Sequence, residues 1–148
     1  MGEYLIVADQ TASSPELLDS VRALMAEDSS AEFVLLVPAT HDQHLLTWAE
    51  GETRLLARER AEFARSCFLA AGVPLIDARV GDASPLVAIE EALREHSPFD
   101  AIVISTFPLG VSRWLRVDLP GRLRRRFGLR VIHVVSQRVP TAAAGSSA

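Results

Sequence analysis

The fold is decided first by the stretch YLIVA at Tyr4–Ala8, five consecutive apolar residues close to the start of the chain. A strand that is covered by helices on both faces reads as a continuous apolar run, because neither of its faces meets water. Two further runs have the same character, FVLLV at Phe33–Val37 and DAIVIS at Asp100–Ser105. These three runs predict buried strands of a parallel sheet.

Helical segments separate the predicted strands. SSPE at Ser13–Glu16 supplies an N-cap, a proline that is permitted in the first turn and an early acid, so a helix is predicted to begin there. A longer helix is predicted from about Gly51 to Ala71, with Gly72 as its stop. A third is predicted from Pro85 to about His96, and its inward-facing residues are expected to be Val87, Ala88, Ala92 and Leu93.

The remaining elements complete an alternating pattern. Leu75–Val80 is less apolar and is predicted to be a strand nearer an edge, while Arg130–Val135 is predicted to be the last strand. A loop and one arginine-rich helix are predicted for residues 106–128. Strands that alternate with helices form right-handed crossovers onto one parallel sheet. The sequence therefore predicts a single α/β domain with five parallel strands over residues 1–136, and a disordered tail over residues 137–148.

In such a sheet, ligands bind beyond the carboxyl ends of the strands, at the point where the winding direction reverses. If the first strand is central, this point lies between the first and fourth strands. Asp9 then lies opposite Ser105 and Thr106. Together with Val37, at the end of the second strand, they are candidate ligand-binding residues.

The composition of the chain limits where in the cell the protein is expected to be found. Hydrophobic residues make up 49% of the 148, enough for the core of one domain. No apolar run approaches the ~20 residues that span a bilayer, so membrane insertion is not expected. The N-terminus has no secretory pattern, and the single cysteine, Cys67, cannot form an intrachain disulfide. We expect a cytoplasmic protein.

All fifteen basic residues are arginines, and they are unevenly placed. Residues 112–138 hold eight arginines and one acid, a net charge of +7, whereas the rest of the chain holds seven arginines and eighteen acids, a net charge of −11. This asymmetry indicates either an anion-facing surface or a solvated helix face that the acidic remainder offsets. The absence of lysine excludes Schiff-base and phosphate-loop lysine chemistry.

The order of these features resembles the universal stress protein family. The resemblance covers residues 4–135 and includes the acid after the first strand at Asp9, the helix end at Ala71–Val73, the run at Arg79–Asp82, and the last two strands. It implies a flavodoxin-like, adenine-nucleotide-hydrolase-like sandwich with helices on both faces and strand order 3-2-1-4-5. It also implies a dimer and a role in stress response. Some members of the family bind ATP through a glycine-rich loop after the fourth strand.

The chain departs from that ATP-binding loop, which reads Gly-x-x-Gly, nine residues, then Gly followed by Ser or Thr. Counted from the fourth strand, Ser105 and Pro108 replace the early glycines and Asp118-Leu119 replaces the later pair. Alignment on Gly110 puts Val117-Asp118 there instead. A carboxylate at Asp118 repels a polyphosphate, so ordinary ATP binding is not expected.

Several polar residues in this region can still hold an anion. Hydroxyl and guanidinium groups are suitable donors, so another adenine nucleotide or a smaller anion remains a candidate ligand. The predicted ligand-binding residues of this segment are Gly110, Ser112, Arg113, Arg116 and Asp118.

The sequence indicates catalytic and metal-binding sites less clearly than an anion-binding site. His41-Asp42-x-His44 lacks clear further ligands, so a solvated loop is the preferred interpretation and no metal site is predicted. Ser112, Asp118 and His133 are the residue types of a hydrolytic triad, but the sequence around Ser112 lacks the second small residue of a nucleophile elbow. No catalytic residue is assigned, and an enzyme ranks last among the functions considered.

Two functional classes remain open. The first is a ligand-binding or regulatory domain that takes a small anion between the first and fourth strands. The second is an interaction module whose segment 112–138 binds an acidic protein or nucleic acid, although the net charge of −4 for the whole chain makes generic nucleic-acid binding unexpected.

The last strand predicts self-association. In the implied order it lies at an edge, and Val131–Val135 is largely apolar on both faces with no lysine or proline. Such an edge invites pairing with another chain, and a two-fold axis would satisfy both copies at once. A homodimer through Val131–Val135 is expected, unless the tail folds back over the edge.

Overall fold

The computed structural model describes residues 2–39, 50–96, 98–108 and 113–137, without the side chains of residues 50–53, 113 and 116. Five strands and five helices are described in these ranges. They are β1 Glu3–Val7, α1 Pro15–Glu27, β2 Glu32–Pro38, α2 Glu50–Ala70, β3 Leu75–Gly81, α3 Pro85–Glu95, β4 Ala101–Thr106, α4 Arg113–Arg116, α5 Leu119–Phe127 and β5 Arg130–Val135. The long apolar runs are therefore strands, as predicted.

The five strands form one parallel sheet with the order β3-β2-β1-β4-β5. This order and the α/β class confirm the predicted fold. Alternate residues of each strand point to opposite faces, and both faces are covered. One core lies between the sheet and helices α1 and α2, and the other lies between the sheet and helices α3 and α5. No helix in the described part of the chain is long and apolar enough to cross a membrane.

Helix α1 begins where its sequence indicates. The Ser14 hydroxyl accepts a hydrogen bond from the Leu17 N–H, and Pro15 occupies the first turn. Helix α2 is followed by Gly72 in the left-handed conformation, with φ of +81°, as its predicted role as a stop requires.

The buried faces of helices α2 and α3 follow from how each helix packs on the sheet. Helix α2 packs through Phe68 and through three small residues, Ala57, Ala61 and Ala64, whereas Leu55 and Phe63 are exposed. In α3 the expectation that Val87 faces inward is wrong: it is exposed. Ile89 is buried with Ala88 and Ala92 instead, because the helix presents a face about half a turn from Val87 to the sheet.

The arginine-rich segment is two helices rather than the one that was predicted. Helix α4 ends at Arg116, and α5 begins at Leu119. Asp118 lies between them in the left-handed conformation, with φ of +50°, and the following Pro120 is suited to a first helical turn rather than a helix interior. The break in the helix places the Asp118 carboxylate at the start of α5.

Candidate functional site

The candidate site lies at the carboxyl edge of the sheet, between β1 and β4. These strands are neighbours, with Val7 beside Ile104. The chain leaves β1 towards β2 on one side, whereas β4 is followed by β5 on the other. The two connections diverge, and the crevice between them is where parallel sheets bind ligands.

A chain of buried hydroxyl groups lies at this end of the sheet, on the α1 side. Thr11 Oγ1 lies 2.6 Å from Ser105 Oγ, which in turn lies 3.3 Å from Ser136 Oγ. Ser136 Oγ is 2.7 Å from the N-cap hydroxyl of Ser14. All four residues are buried. The network ties the turn after β1 to the ends of β4 and β5 and to the start of α1.

This network changes what Ser105 can offer to a ligand. Its hydroxyl already has two protein neighbours, Thr11 and Ser136. Its predicted role in ligand binding remains a prediction. The contribution of Thr11, Ser14 and Ser136 was missed in the sequence, because hydroxyl residues at strand ends carry no distinctive spacing.

Asp9 follows β1 and is held by an arginine from α2. Arg60 Nη1 lies 2.7 Å from Asp9 Oδ1, and the two side chains are 24% and 18% exposed. Asp9 therefore lies beyond the end of β1 in an ion pair, and its role in ligand binding remains a prediction. Arg60 was missed, since it is one arginine among several in a charged helix.

Thr106 lies at the end of β4 on the opposite face of the sheet from Ser105. Its hydroxyl is 2.7 Å from Nε2 of His133 on β5. Burial and, secondarily, the charge of Arg124 lower the pKa of His133 below its usual 6.5. The imidazole is therefore neutral at pH 7 and can donate to or accept from the threonine, depending on its tautomer.

Asp118 is the N-cap residue of α5. Its Oδ1 accepts a hydrogen bond from the Gly121 N–H at 3.3 Å, and Oδ2 lies 3.6 Å from Arg125 Nη2. A Cβ atom at Gly121 would clash with the Asp118 carboxylate, so the glycine leaves room for it. The carboxylate thus lies where a helix N-terminus would otherwise receive an external anion.

The remaining predicted site residues lie either in the core or outside the described residues. The Val37 side chain is fully buried in the core between the sheet and α1 and α2. Four predicted ligand-binding residues cannot be placed: the structure does not describe Gly110 and Ser112, or the side chains of Arg113 and Arg116.

The loop that was considered for metal binding also lies outside the described residues, with His41, Asp42 and His44. Among the residues that are described, no cluster of three metal-ligating side chains occurs.

The fold is a parallel α/β sandwich, and the crevice lies at the point where its strands diverge. No family model matches the chain, and no curated protein matches it by sequence. Solved structures do match it.

A universal stress protein family member from Burkholderia pseudomallei has a TM-score of 0.58 at 17% identity, over 91% of this chain and 96% of its own. A universal stress protein in complex with cAMP has a TM-score of 0.57 at 21% identity, over 90% and 98%. A family protein from Arabidopsis thaliana with AMP bound has a TM-score of 0.59 at 12% identity, over 97% and 99%. The chain has the universal stress protein fold, and the predicted resemblance is confirmed at that level.

Proposed function

We propose that this chain is a divergent universal stress protein domain that binds an adenine mononucleotide, or an anion of similar size, in the crevice between β1 and β4. One observation carries the proposal. The 2.6 Å contact between Thr11 and Ser105 joins the turn after β1 to the end of β4, so the Asp9 carboxylate and the end of β4 lie at the same edge of the sheet. The cAMP and AMP complexes of two proteins with this fold support a mononucleotide as the ligand.

The geometry at α5 supports a mononucleotide over ATP. A polyphosphate needs several backbone N–H groups and little negative charge nearby. At the start of α5, the Asp118 carboxylate already accepts from Gly121 N. A triphosphate that reached this helix would have to displace a carboxylate of its own sign.

A regulatory role fits the site better than catalysis. Thr106 and His133 are within hydrogen-bond distance, as a nucleophile and its base would be, but Thr106 is only 3% exposed. In the described part of the chain no carboxylate bonds to the other ring nitrogen of His133, so no third group orients the base. The proposed role is binding in a cytoplasmic stress response, and composition supports that location.

Calorimetric titration tests this proposal. The wild-type protein should bind AMP or cAMP at least tenfold more tightly than ATP. Asp118→Gly suits the left-handed backbone and removes the carboxylate, so it should strengthen ATP binding about tenfold or more, whereas AMP should change less. Asp19→Asn, on the exposed face of α1, controls for the change in net charge. Wild-type ATP binding that equals or exceeds AMP binding would contradict the proposal.

We also propose a homodimer through the β5 edge at Val131–Val135. The opposite edge strand, β3, carries an irregularity in its pairing with β2 and the charges of Asp77 and Arg79. Such features discourage pairing with another chain, and β5 has only Arg130 at its start. The exposed Val135 extends an apolar edge that a second copy would cover.

The alternative function, an arginine-rich interaction surface, is less favoured. Arg124 donates to the Val131 carbonyl, Arg125 lies near Asp118, and Arg126 contacts Glu90 on α3. These contacts hold part of the positive charge within the domain. Sub-micromolar binding of generic duplex DNA at physiological salt would restore this alternative.

A further inference from the structure

Arg60 is the least explained charged side chain at the crevice. It lies in the middle of α2, which packs against β2 and β3, yet its guanidinium reaches Asp9 beyond the end of β1. Its side chain is about three-quarters buried. The arginine therefore extends over the sheet edge and remains partly open to solvent.

The guanidinium has more donors than its known contact uses. Arginine carries five N–H donors in a planar fork. Within the described residues, the polar contact of Arg60 is the single bond from Nη1 to Asp9 Oδ1. In the part of the chain that is described, no Arg60 nitrogen is both buried and without a partner, so the remaining N–H groups are open to solvent and can be reached by an acceptor that enters the crevice.

We propose that Arg60 is a ligand-binding residue and that it donates to a phosphate oxygen of the bound nucleotide, an inference that rests on the proposed function. Asp118 occupies the start of α5, and Arg124, Arg125 and Arg126 have contacts elsewhere. Arg60 is thus the cation with unused donors that the described side chains place at the crevice.

The Asp9–Arg60 pair is suited to such a role. A planar fork can bridge two anions, because its N–H groups point in different directions. Asp9 fixes the guanidinium in position before the ligand arrives, so less side-chain entropy is lost on binding. The bound phosphate then accepts hydrogen bonds from N–H groups on another side of the same guanidinium.

Titration of AMP and adenosine into matched variants tests the inference, because the two ligands differ only in the phosphate. Arg60→Ala should weaken AMP binding roughly ten- to a hundredfold, the usual effect of losing a charged hydrogen bond, and should change adenosine binding less than about threefold. Arg60→Gln retains a donor for Asp9 without the charge and should show the same selective loss. Arg58→Ala, an exposed arginine two residues earlier on α2, should affect neither ligand.

Melting temperatures of all variants, measured in parallel, identify any change in folding. If Arg60→Gln weakens AMP and adenosine equally, or weakens neither, Arg60 does not contact phosphate and the inference fails while the proposed function stands. If the wild-type protein binds neither AMP nor adenosine, the inference and the proposal of an adenine mononucleotide as the ligand are both overturned.

Discussion

The protonation of one side chain, His133, couples the stability of the folded protein to the solution pH. Its ring lies on the α5 side of β5, where Thr106 of β4 accepts or donates and Arg124 of α5 brings positive charge. Both burial and that charge disfavour the imidazolium. The folded protein therefore holds a neutral histidine under conditions in which an unfolded chain begins to take up a proton.

This difference predicts a pH dependence of stability. The pKa of His133 is below 6.5 in the folded state, so between that value and 6.5 the unfolded chain binds more protons. The free energy of unfolding should be fully retained above pH 7 and should fall as the pH drops through 6.5 towards the folded pKa. His133→Gln should flatten this slope in urea unfolding measured from pH 7.5 to 5.5. His96→Gln is the matched control, and an unchanged slope in His133→Gln would contradict the assignment.

Some single residues could be predicted from sequence and others could not. Ser14 and Gly72 act locally, as a cap and as a helix stop, and local chemistry identified them. Arg60 acts on Asp9, fifty-one residues away, and only the packing of α2 brings them together. Asp118 was recognised as an obstacle to phosphate, but its bond to Gly121 depends on a backbone conformation that the sequence alone did not reveal.

At the scale of elements, the ends of β4 and β5 are joined to the start of α1 by side chains rather than by the sheet alone. Ser136 Oγ is bonded to Ser14 Oγ, and the Gln137 N–H donates to Glu16 Oε2 at 3.0 Å. The N-terminus of α1 is thus held by the last described residues of the chain. This contact should contribute to the stability of both elements.

Ser136→Ala should lower the free energy of unfolding by about 1–3 kcal/mol, because it leaves the buried hydroxyls of Ser14 and Ser105 short of a partner. Ser66→Ala serves as the control, since that hydroxyl lies on the exposed side of α2 and bonds to its own helix. Equal unfolding midpoints in urea for Ser136→Ala and the wild-type protein would show that the network adds no stability.

The positions of the helices and strands were predicted more accurately than the faces that the helices pack against the sheet. Apolar runs and capping residues are properties of short segments, so the five strands and the starts of α1, α2 and α3 were found within a residue or two. The burial of Ala57 and the exposure of Phe63 depend on how closely α2 approaches the sheet. Phe68 is buried beside the alanines while Phe63 is exposed, so side-chain size alone does not identify the inward face of that helix.

At the scale of the whole molecule, the side of β5 that faces away from β4 allows the dimer proposal to be tested. The Ser136 N–H donates to the Thr106 carbonyl, and donors alternate between the two sides of a strand. The N–H groups of His133 and Val135 therefore point away from β4, to the side where the described residues include no further strand, whereas that of Val134 points towards β4. A proline at Val134 would damage the sheet itself, so Val135 is the better position.

Light scattering of the wild-type protein at tens of micromolar should give the mass of a dimer. Val135→Pro removes an outward N–H and should shift the protein to a monomer, whereas Val135→Ala keeps that donor and should remain dimeric. Circular dichroism confirms that each variant is folded. A monomeric mass for the wild-type protein would rule the proposed dimer out.

The bonds from Ser136 and Gln137 to α1 have a consequence for protein engineering. They fix the point from which the chain continues at the same end of the sheet as the crevice. A second module joined there by a short flexible linker would meet the crevice at an effective concentration in the millimolar range. A fused peptide or dye-labelled segment could therefore compete for the crevice even with weak intrinsic affinity, which makes this junction a natural attachment point for a biosensor.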